Sequence, residues 1–201
     1  MANQSLLLAL DQGTSSSRAA VFNPAGQLIA SCSAPLKIEY PADGWVQQDP
    51  MSIWNSQKQA MAGLERALTP DQRNAVLTCG ITNQRETTVL WRRSNSKPCG
   101  PALVWQDGRT ANICSQWKKD GLEKEWRHRT GLLLDPYFSA SKIQWLLLNV
   151  PETTEALTNH DLCFGTVESW LLWQLTSGKH HYSDMSNASR TLLMDLEKRE
   201  W

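Results

Sequence analysis

Short apolar runs separated by polar turns dominate the first part of the sequence. Leu6–Leu10 and Ala19–Phe22 flank the polar segment 11–18, and a second turn at residues 23–26 leads into Gln27–Cys32. Apolar runs of this length, bounded by turn residues, are typical of β-strands. The pattern therefore predicts three consecutive strands that pair as an antiparallel meander at the start of a sheet.

The clearest helical pattern begins at Pro50. Proline is favoured at the first position of a helix, and Asp49 before it is suited to cap the helix start. Apolar residues then recur on one helical face, at Ile53, Trp54, Ala60, Met61, Leu64 and Leu68. This spacing predicts an amphipathic helix that covers one side of the sheet.

Further along the chain, three apolar runs predict strands, and the segments after Arg109 predict helices. The predicted strands are Ala75–Thr82, Thr87–Trp91 and Ala102–Trp105. The predicted helices are Thr110–Lys119, Leu122–His128, Ser139–Leu148 and Val167–Leu175. Together these elements predict a mixed α/β domain, with a sheet whose first strands are antiparallel and which helices flank.

Composition and charge restrict the classes of function. The chain of 201 residues is 41% hydrophobic and 20% charged, as expected of one ordinary folded domain. Twenty Lys+Arg balance twenty Asp+Glu, so no basic excess is present to bind a nucleic-acid backbone. No apolar run reaches the length of a membrane span, and the polar residues 1–5 do not resemble a signal peptide. The five cysteines are widely spaced, which indicates reduced thiols. We therefore expect a cytoplasmic protein with a small-molecule partner.

The polar segment Asp11–Arg18, between the first two predicted strands, is the first candidate site. It combines a glycine, four consecutive hydroxyl residues, a carboxylate and an arginine. Backbone N–H groups, hydroxyls and a guanidinium bind phosphate oxygens, and Asp11 is suited to hold Mg²⁺ through its water shell. The same residue types also form ordinary β-turns, so composition alone leaves both interpretations open. Neither GxxxxGK(S/T) nor GxGxxG occurs, which argues against a P-loop or a Rossmann dinucleotide site.

A second candidate site follows the predicted strand Ala75–Thr82. The carboxylate of Glu86 can accept a hydrogen bond from one hydroxyl of a polyol while the guanidinium of Arg85 donates to the same or the next one. Trp105 could pack its face on the carbon skeleton, and the hydroxyl of Tyr137 could add a hydrogen bond. The alternatives are an exposed ion pair on a hairpin loop and aromatic residues that only fill the core.

Eight segments in sequence order resemble the FGGY family of carbohydrate kinases, the first of them its first phosphate motif and the other seven its glycerol kinases. They are residues 10–18, 40–50, 81–87, 104–106, 130–132, 135–139, 164–167 and 186–191. The resemblance implies an α/β domain of the ribonuclease H-like, actin-like ATPase fold. It also implies transfer of the γ-phosphoryl group of ATP to glycerol, which gives sn-glycerol 3-phosphate and ADP, with Mg²⁺ as cofactor. At full length such a protein is expected to form a homo-oligomer.

The resemblance also assigns roles to individual residues. The nucleotide phosphates would contact Gly13, Thr14, Ser15, Ser16 and Arg18, with Asp11 near the metal, and glycerol would lie among Arg85, Glu86, Trp105 and Tyr137. Two positions depart from the family pattern: Ser15 replaces a common threonine, and Gly108 stands where a bulkier residue is usual. We expect Gly108 to loosen the strand end beneath Trp105.

The chain is shorter than the proteins of the family that it resembles, which are more than twice as long. The resemblance implies an active site between two actin-like domains. We therefore expect residues 1–201 to form the N-terminal domain without its last elements. The C-terminal ATP-binding domain and the general-base aspartate are expected beyond residue 201, so no catalytic residue is assigned here, and the isolated chain is expected to be inactive. The four histidines, in polar segments, are expected to be solvated. The alternatives are another FGGY kinase, of the xylulose or gluconate type, and a non-catalytic binding fragment.

Overall fold

Eight strands and eight helices lie within residues 5–201, the part of the chain that the structure, a computed structural model, describes. These residues divide into two units. Unit 1 comprises residues 5–38 and 51–84, and unit 2 comprises Glu39–Pro50 and Arg85–Trp201. The single N-terminal domain over residues 1–201 stays a prediction, and the expectation about a signal peptide rests on residues 1–4, outside the described residues.

The elements have the following bounds. The strands are β1 (Leu6–Gln12), β2 (Ser16–Phe22), β3 (Leu28–Pro35), β4 (Gln47–Gln48), β5 (Val76–Asn83), β6 (Val89–Arg92), β7 (Ala102–Leu103) and β8 (Leu162–Gly165). The helices are α1 (Pro50–Ala67), α2 (Pro70–Asn74), α3 (Ala111–Lys119), α4 (Glu123–Thr130), α5 (Ser139–Asn149), α6 (Pro151–Thr158), α7 (Val167–Leu175) and α8 (Met185–Ala188).

Unit 1 is built on a four-stranded mixed sheet with the order β3-β2-β1-β5. The pairs β1/β2 and β2/β3 are antiparallel, which confirms the predicted meander, whereas β5 lies parallel to β1. In this register Asp11 lies opposite Arg18 on β2 and beside Thr82 on β5. The ends of β1 and β5 therefore place the polar segment after β1 at one edge of the sheet.

Helix α1 covers one face of this sheet from Met51 onward. Its predicted apolar face is buried at Ile53, Ala60, Leu64 and Leu68, and Met61 packs partly buried against the same core. The core is completed by apolar residues of the first three strands and of the α2–β5 connection, namely Leu6, Leu10, Ala19, Val21, Ala34 and Ala75. Burial of this face is what fixes the helix on the sheet.

Unit 2 contains two short antiparallel strand pairs, β4/β7 and β6/β8, with helices around them. A bridge between Thr88 and Leu103 links the segment before β6 to β7. One core cluster joins Leu90 and Leu103 to Leu146 of α5 and Ala156 of α6, and another joins Leu134, Phe138, Ala140 and Leu192. Trp91 on β6 is fully buried and packs against the rings of Trp170 and Trp173 on α7.

The structure confirms the longer predicted elements and adds shorter ones. The helices predicted at Thr110–Lys119, Leu122–His128, Ser139–Leu148 and Val167–Leu175 correspond to α3, α4, α5 and α7. The strand predicted at Ala102–Trp105 ends at Leu103, and the sequence analysis missed α2, β4, α6, β8 and α8. No helix of the described residues combines the length and the apolar character that crossing a membrane requires.

Candidate functional site

The turn between β1 and β2, residues 13–15, is the first candidate site. It is closed by the Gly13 N–H, which donates to the Ser16 carbonyl at 2.9 Å. A Cβ on residue 13 would lie 3.0 Å from that carbonyl oxygen, a tight contact, so this turn favours glycine. The Leu36 N–H donates to the Ser15 carbonyl at 2.9 Å and ties the turn to the segment after β3. The turn is therefore fixed by the backbone of unit 1.

Alternation along β1 and β2 sorts the polar side chains of this turn into two sets. Gln12 and Ser17 point inward and are fully buried, with the Ser17 hydroxyl donating to Gln12 Oε1 at 2.7 Å and lying 2.6 Å from the Ser56 hydroxyl of α1. The side chains of Asp11, Ser15, Ser16 and Arg18 are exposed, and Gly13 and Thr14 are half-buried. Of the four consecutive hydroxyl residues, Ser17 is thus structural, and the residues predicted to bind phosphate form the accessible set.

The possibility of a metal site at this turn rests on Asp11. Its exposed carboxylate stands at the end of β1, opposite Arg18. Residues 5–201 contain no group of three or more His, Cys, Asp or Glu that could hold a metal ion. One carboxylate fits Mg²⁺ that arrives with a nucleotide, because Mg²⁺ keeps several waters and uses one or two carboxylates together with phosphates.

Unit 2 holds the second candidate site, and Glu86 is at its centre. The residue is 2% exposed and has a φ of 64°, a left-handed conformation that is costly for a residue with a side chain. Its carbonyl accepts a hydrogen bond from the Thr88 hydroxyl at 3.2 Å, and its Oε1 accepts one from Arg190 Nε at 2.6 Å. A buried carboxylate is thereby held in one orientation by a charged partner.

Trp105 and Tyr137 lie together in unit 2. Their rings meet edge to face with centroids 5.7 Å apart, and both residues are half-buried. The Trp105 N–H donates to the Thr87 hydroxyl at 3.2 Å, which ties it to the residue after Glu86. The Tyr137 N–H donates to Asp135 Oδ1 at 2.9 Å. The two aromatic residues predicted to contact glycerol are therefore brought together and retain accessible surface.

Lys142 of α5 supports the loop that carries Tyr137. Its ammonium donates to the carbonyl oxygens of Pro136 at 2.7 Å and Tyr137 at 2.6 Å, and the residue is fully buried. Burial lowers the pKa of Lys142 to about 8, although the nearby carboxylates of Asp107 and Glu86 oppose this change. The sequence analysis missed this lysine because a lysine on a predicted helix is usually exposed.

A buried ion pair lies after the Trp105 segment. Arg109 Nη2 is 2.8 Å from Asp107 Oδ2, and the two side chains are 1% and 0% exposed. The guanidinium lies 4.0 Å from the ring centroid of Trp45, and Asp107 Oδ2 also accepts a hydrogen bond from the Val46 N–H at 2.6 Å. Gly108, between the partners, donates to the Gly44 carbonyl at 2.9 Å. These contacts hold the segment that Gly108 was expected to loosen.

Two of the predicted glycerol ligands differ in their surroundings. Glu86 joins Tyr137 through Arg190, whose guanidinium lies 5.7 Å from the Tyr137 ring centroid. Arg85 is exposed, and within residues 5–201 no hydrogen bond or ion pair links its side chain to that group. Arg190 itself was not among the predicted site residues. Its only sequence signal was its place in the segment 186–191, which carries part of the family resemblance.

The four histidines and the five cysteines differ in burial. His128, His160 and His180 are exposed, as expected, whereas His181 is half-buried, with Nε2 at 2.7 Å from the Phe164 carbonyl and its ring against Trp91. The expectation of a solvated His181 is therefore wrong, because aromatic packing covers it. All five cysteines are free thiols, and burial raises the pKa of Cys114.

Comparison with known proteins identifies the family. Residues 6–201 match the model of the N-terminal domain of the FGGY family of carbohydrate kinases. The chain belongs to this FGGY family.

Relatives of known structure and sequence support this assignment to the FGGY family. The chain is 53% identical over 196 residues to the glycerol kinase of Ralstonia pickettii, an alignment that covers 97% of this chain and 39% of the relative. The structure of a Plasmodium falciparum glycerol kinase with ADP superimposes with a TM-score of 0.89 at 30% identity, over 98% of this chain and 39% of that one. A ligand-bound xylulose kinase of Lactobacillus acidophilus, 18% identical with a TM-score of 0.84 over 98% of this chain and 38% of that one, shares the fold.

These comparisons confirm two predictions made from the sequence. The FGGY chain has the α/β actin-like ATPase fold, with a mixed sheet and flanking helices, and it resembles the N-terminal part of glycerol kinases. The chain spans about 39% of the length of the curated relatives that it matches. The individual roles of the FGGY site residues stay predictions.

Proposed function

We propose that this chain is the N-terminal part of an ATP-dependent glycerol kinase, which transfers the γ-phosphoryl group of ATP to glycerol and forms sn-glycerol 3-phosphate and ADP. The proposal rests on the group formed by Glu86, Trp105 and Tyr137 in a chain that is 53% identical to a glycerol kinase. We also propose that residues 1–201 act as one FGGY domain, in the cytoplasm, and that the complete protein forms a homo-oligomer.

The polyol site would work through complementary hydrogen bonding. Arg190 occupies Oε1 of Glu86, so a hydroxyl of glycerol would donate to Oε2, while the exposed Arg85 donates to the same or the neighbouring hydroxyl. The edge-to-face pair of Trp105 and Tyr137 would cover the carbon skeleton. A ligand that lacks this hydroxyl would leave Oε2 of the buried Glu86 without a donor, at a cost of about 1–3 kcal/mol.

The phosphate site would hold the nucleotide at the turn of unit 1. The N–H groups of the turn, the hydroxyls of Thr14, Ser15 and Ser16 and the guanidinium of Arg18 would bind phosphate oxygens, with Gly13 allowing the close backbone approach. Mg²⁺, when bound, would neutralise phosphate charge, and Asp11 would contact it through water. Phosphoryl transfer depends on positioning and charge, so no covalent intermediate with the protein is required.

Turnover is tested in a chimera in which this chain replaces the aligned segment of the Ralstonia pickettii glycerol kinase. ADP release is measured with Mg-ATP and glycerol, xylulose, gluconate or dihydroxyacetone. We expect the chimera to prefer glycerol, and this preference to be lost in Arg85→Ala and Glu86→Ala. The 201-residue chain alone should show no turnover. Preference for xylulose or gluconate would point to another FGGY kinase, and a folded chimera without turnover would point to a non-catalytic binding fragment.

Binding by the chain itself gives a second test. Saturation-transfer NMR of glycerol with the 201-residue chain should give a signal that Glu86→Ala reduces. Glu125→Ala is the matched control, because Glu125 pairs with Arg129 on the exposed surface of the same unit. An equal signal from wild type and Glu86→Ala would reject the assignment of the polyol site.

A further inference from the structure

Arg190 joins the segments that make up the candidate polyol site. Its Nε donates to Glu86 Oε1 at 2.6 Å, across 104 positions of sequence, and the Glu86 side chain is only 3% exposed. Its guanidinium also lies 5.0 Å from the ring centroid of Phe138 and 5.7 Å from that of Tyr137, within the range of a cation–π interaction. One side chain therefore contacts both the carboxylate and the aromatic loop.

The backbone at Arg190 is itself fixed by a hydrogen-bond network. The carboxylate of Asp184 caps α8, accepting from the N–H groups of Ser186 at 2.7 Å and Asn187 at 3.1 Å. The Arg190 N–H donates to the Asn187 carbonyl, and the next residue, Thr191, accepts from the Ala140 N–H at the start of α5. Arg190 thus lies just after a short capped helix, and the hydrogen bond to Thr191 attaches this segment to α5.

The chemistry of this contact explains why an arginine is useful here. A buried carboxylate without a partner is strongly unfavourable, and a guanidinium binds it with fixed geometry while its flat face stacks on aromatic rings. Because Nε binds Oε1, the contact restrains the carboxylate without using Oε2. The Arg190 side chain is 31% exposed, which is compatible with a position at the border of the site.

We propose that Arg190 is a positioning residue of the polyol site, which orients the Glu86 carboxylate and the Tyr137 ring for substrate hydroxyls. The inference rests on the proposed function. Arg190 acts through Glu86, so its loss should weaken polyol binding and leave nucleotide binding unchanged. In kinetic terms the KM for glycerol should rise, with a much smaller change in kcat and in the KM for ATP.

The experiment compares variants of the chimera between this chain and the Ralstonia pickettii kinase. Arg190→Ala should raise the KM for glycerol about 10- to 100-fold, while the KM for ATP stays within about twofold. Arg190→Lys keeps the charge but not the planar fork, and should recover part of the loss. Arg129→Ala is the matched control, since it removes an exposed arginine that lies 2.9 Å from Glu125 in the same unit.

A double-mutant cycle separates positioning from a general structural effect. If Arg190 acts through Glu86, Arg190→Ala should add little to the KM of Glu86→Ala, whereas independent roles would multiply the two effects. If circular dichroism of the 201-residue chain shows that Arg190→Ala does not fold, Arg190→Lys replaces it as the test. In that case Arg190→Lys must still raise the KM for glycerol and leave the KM for ATP unchanged. An unchanged glycerol KM in both variants, or an equal rise in the ATP KM, would overturn the inference. Absence of glycerol turnover in the wild-type chimera would instead count against the proposed function.

Discussion

Lys142, a buried charge in unit 2, should make the free energy of unfolding depend on pH. Its ammonium is fully buried, and burial lowers its pKa from 10.5 to about 8. Below pH 8 the side chain is protonated in both the folded and the unfolded chain. Between about pH 8 and 10.5 the folded chain has lost this proton while the unfolded chain keeps it. The free energy of unfolding should therefore gain from Lys142 as the pH rises through this window.

The size of this effect follows from the two pKa values. One pKa unit corresponds to about 1.4 kcal/mol, so the difference between 10.5 and about 8 gives about 3 kcal/mol. The same amount measures how much the buried ammonium disfavours the folded state at neutral pH. Burial also raises the pKa values of the Cys99, Cys114 and Cys163 thiols, which makes stability fall as the pH rises above their unfolded values. The thiol effect has the opposite sign and must be separated.

Urea unfolding of the wild-type chain and of Lys142→Met, from pH 7 to 10.5, separates the two effects. Both proteins carry Cys114→Ala, because Lys142 influences the pKa of that thiol, and the other thiols are common to both, so the difference in unfolding free energy between them isolates Lys142. Lys142→Met loses the bonds to the Pro136 and Tyr137 carbonyls at every pH, so the test is how the difference changes with pH and not its size at one pH. The exposed Lys119 provides the matched control, Lys119→Met, for which we expect no slope. A flat or falling difference between wild type and Lys142→Met would refute the reasoning.

Two further changes test the packing of each unit by urea unfolding of the same chain. Gly63→Ala places a Cβ 2.2 Å from Cys32 Sγ and should destabilise unit 1 by about 1–2 kcal/mol. In a Cys32→Ala background only the Cβ of residue 32, 3.2 Å away, remains in close contact, and the loss should be smaller, because alanine also favours a helix over glycine by about 1 kcal/mol. An equal loss in both backgrounds would contradict the contact. Asp107→Asn leaves the buried Arg109 without its charge partner and should lower the free energy of unfolding by about 3–5 kcal/mol. The control is Glu125→Ala, which breaks the exposed pair with Arg129 and should cost under about 1 kcal/mol. A loss as small as that of the control would show that the Asp107 pair is not buried in solution.

Local patterns account for most of what the sequence predicted about the fold. The meander was predicted from apolar runs bounded by polar turns and α1 from a helical period, and the core of unit 1 contains residues of both. The strand β8 was missed because Leu162–Gly165 becomes a strand only by pairing with β6, about 70 positions away along the chain. The two-residue strands β4 and β7 are likewise defined by each other. Pairing over such distances is invisible to a local period.

The sequence likewise predicted some features of the candidate sites and missed others. Alternation on β2 places Ser16 and Arg18 on the exposed side and Ser17 inside, which agrees with the set predicted to bind phosphate, although the binding roles themselves remain untested. The proximity of Trp105 and Tyr137 was expected from the family resemblance. The contact of Arg190 with Glu86 was not, because no local feature of residues 186–191 indicates a partner 104 positions away.

The candidate polyol site of unit 2 contains buried charges that do not favour stability. A buried ion pair is on average no more stable than an apolar pair of the same volume, and a buried lysine without a carboxylate contact is less so. Yet Glu86 adopts a φ of 64°, pairs with Arg190, and lies near the buried Lys142, whose own contacts are carbonyl oxygens of the Tyr137 loop. Strain at a residue persists only when its surroundings determine its position. The strained Glu86 and the buried charges around it therefore fit the proposal that this group binds a ligand with several hydroxyl groups.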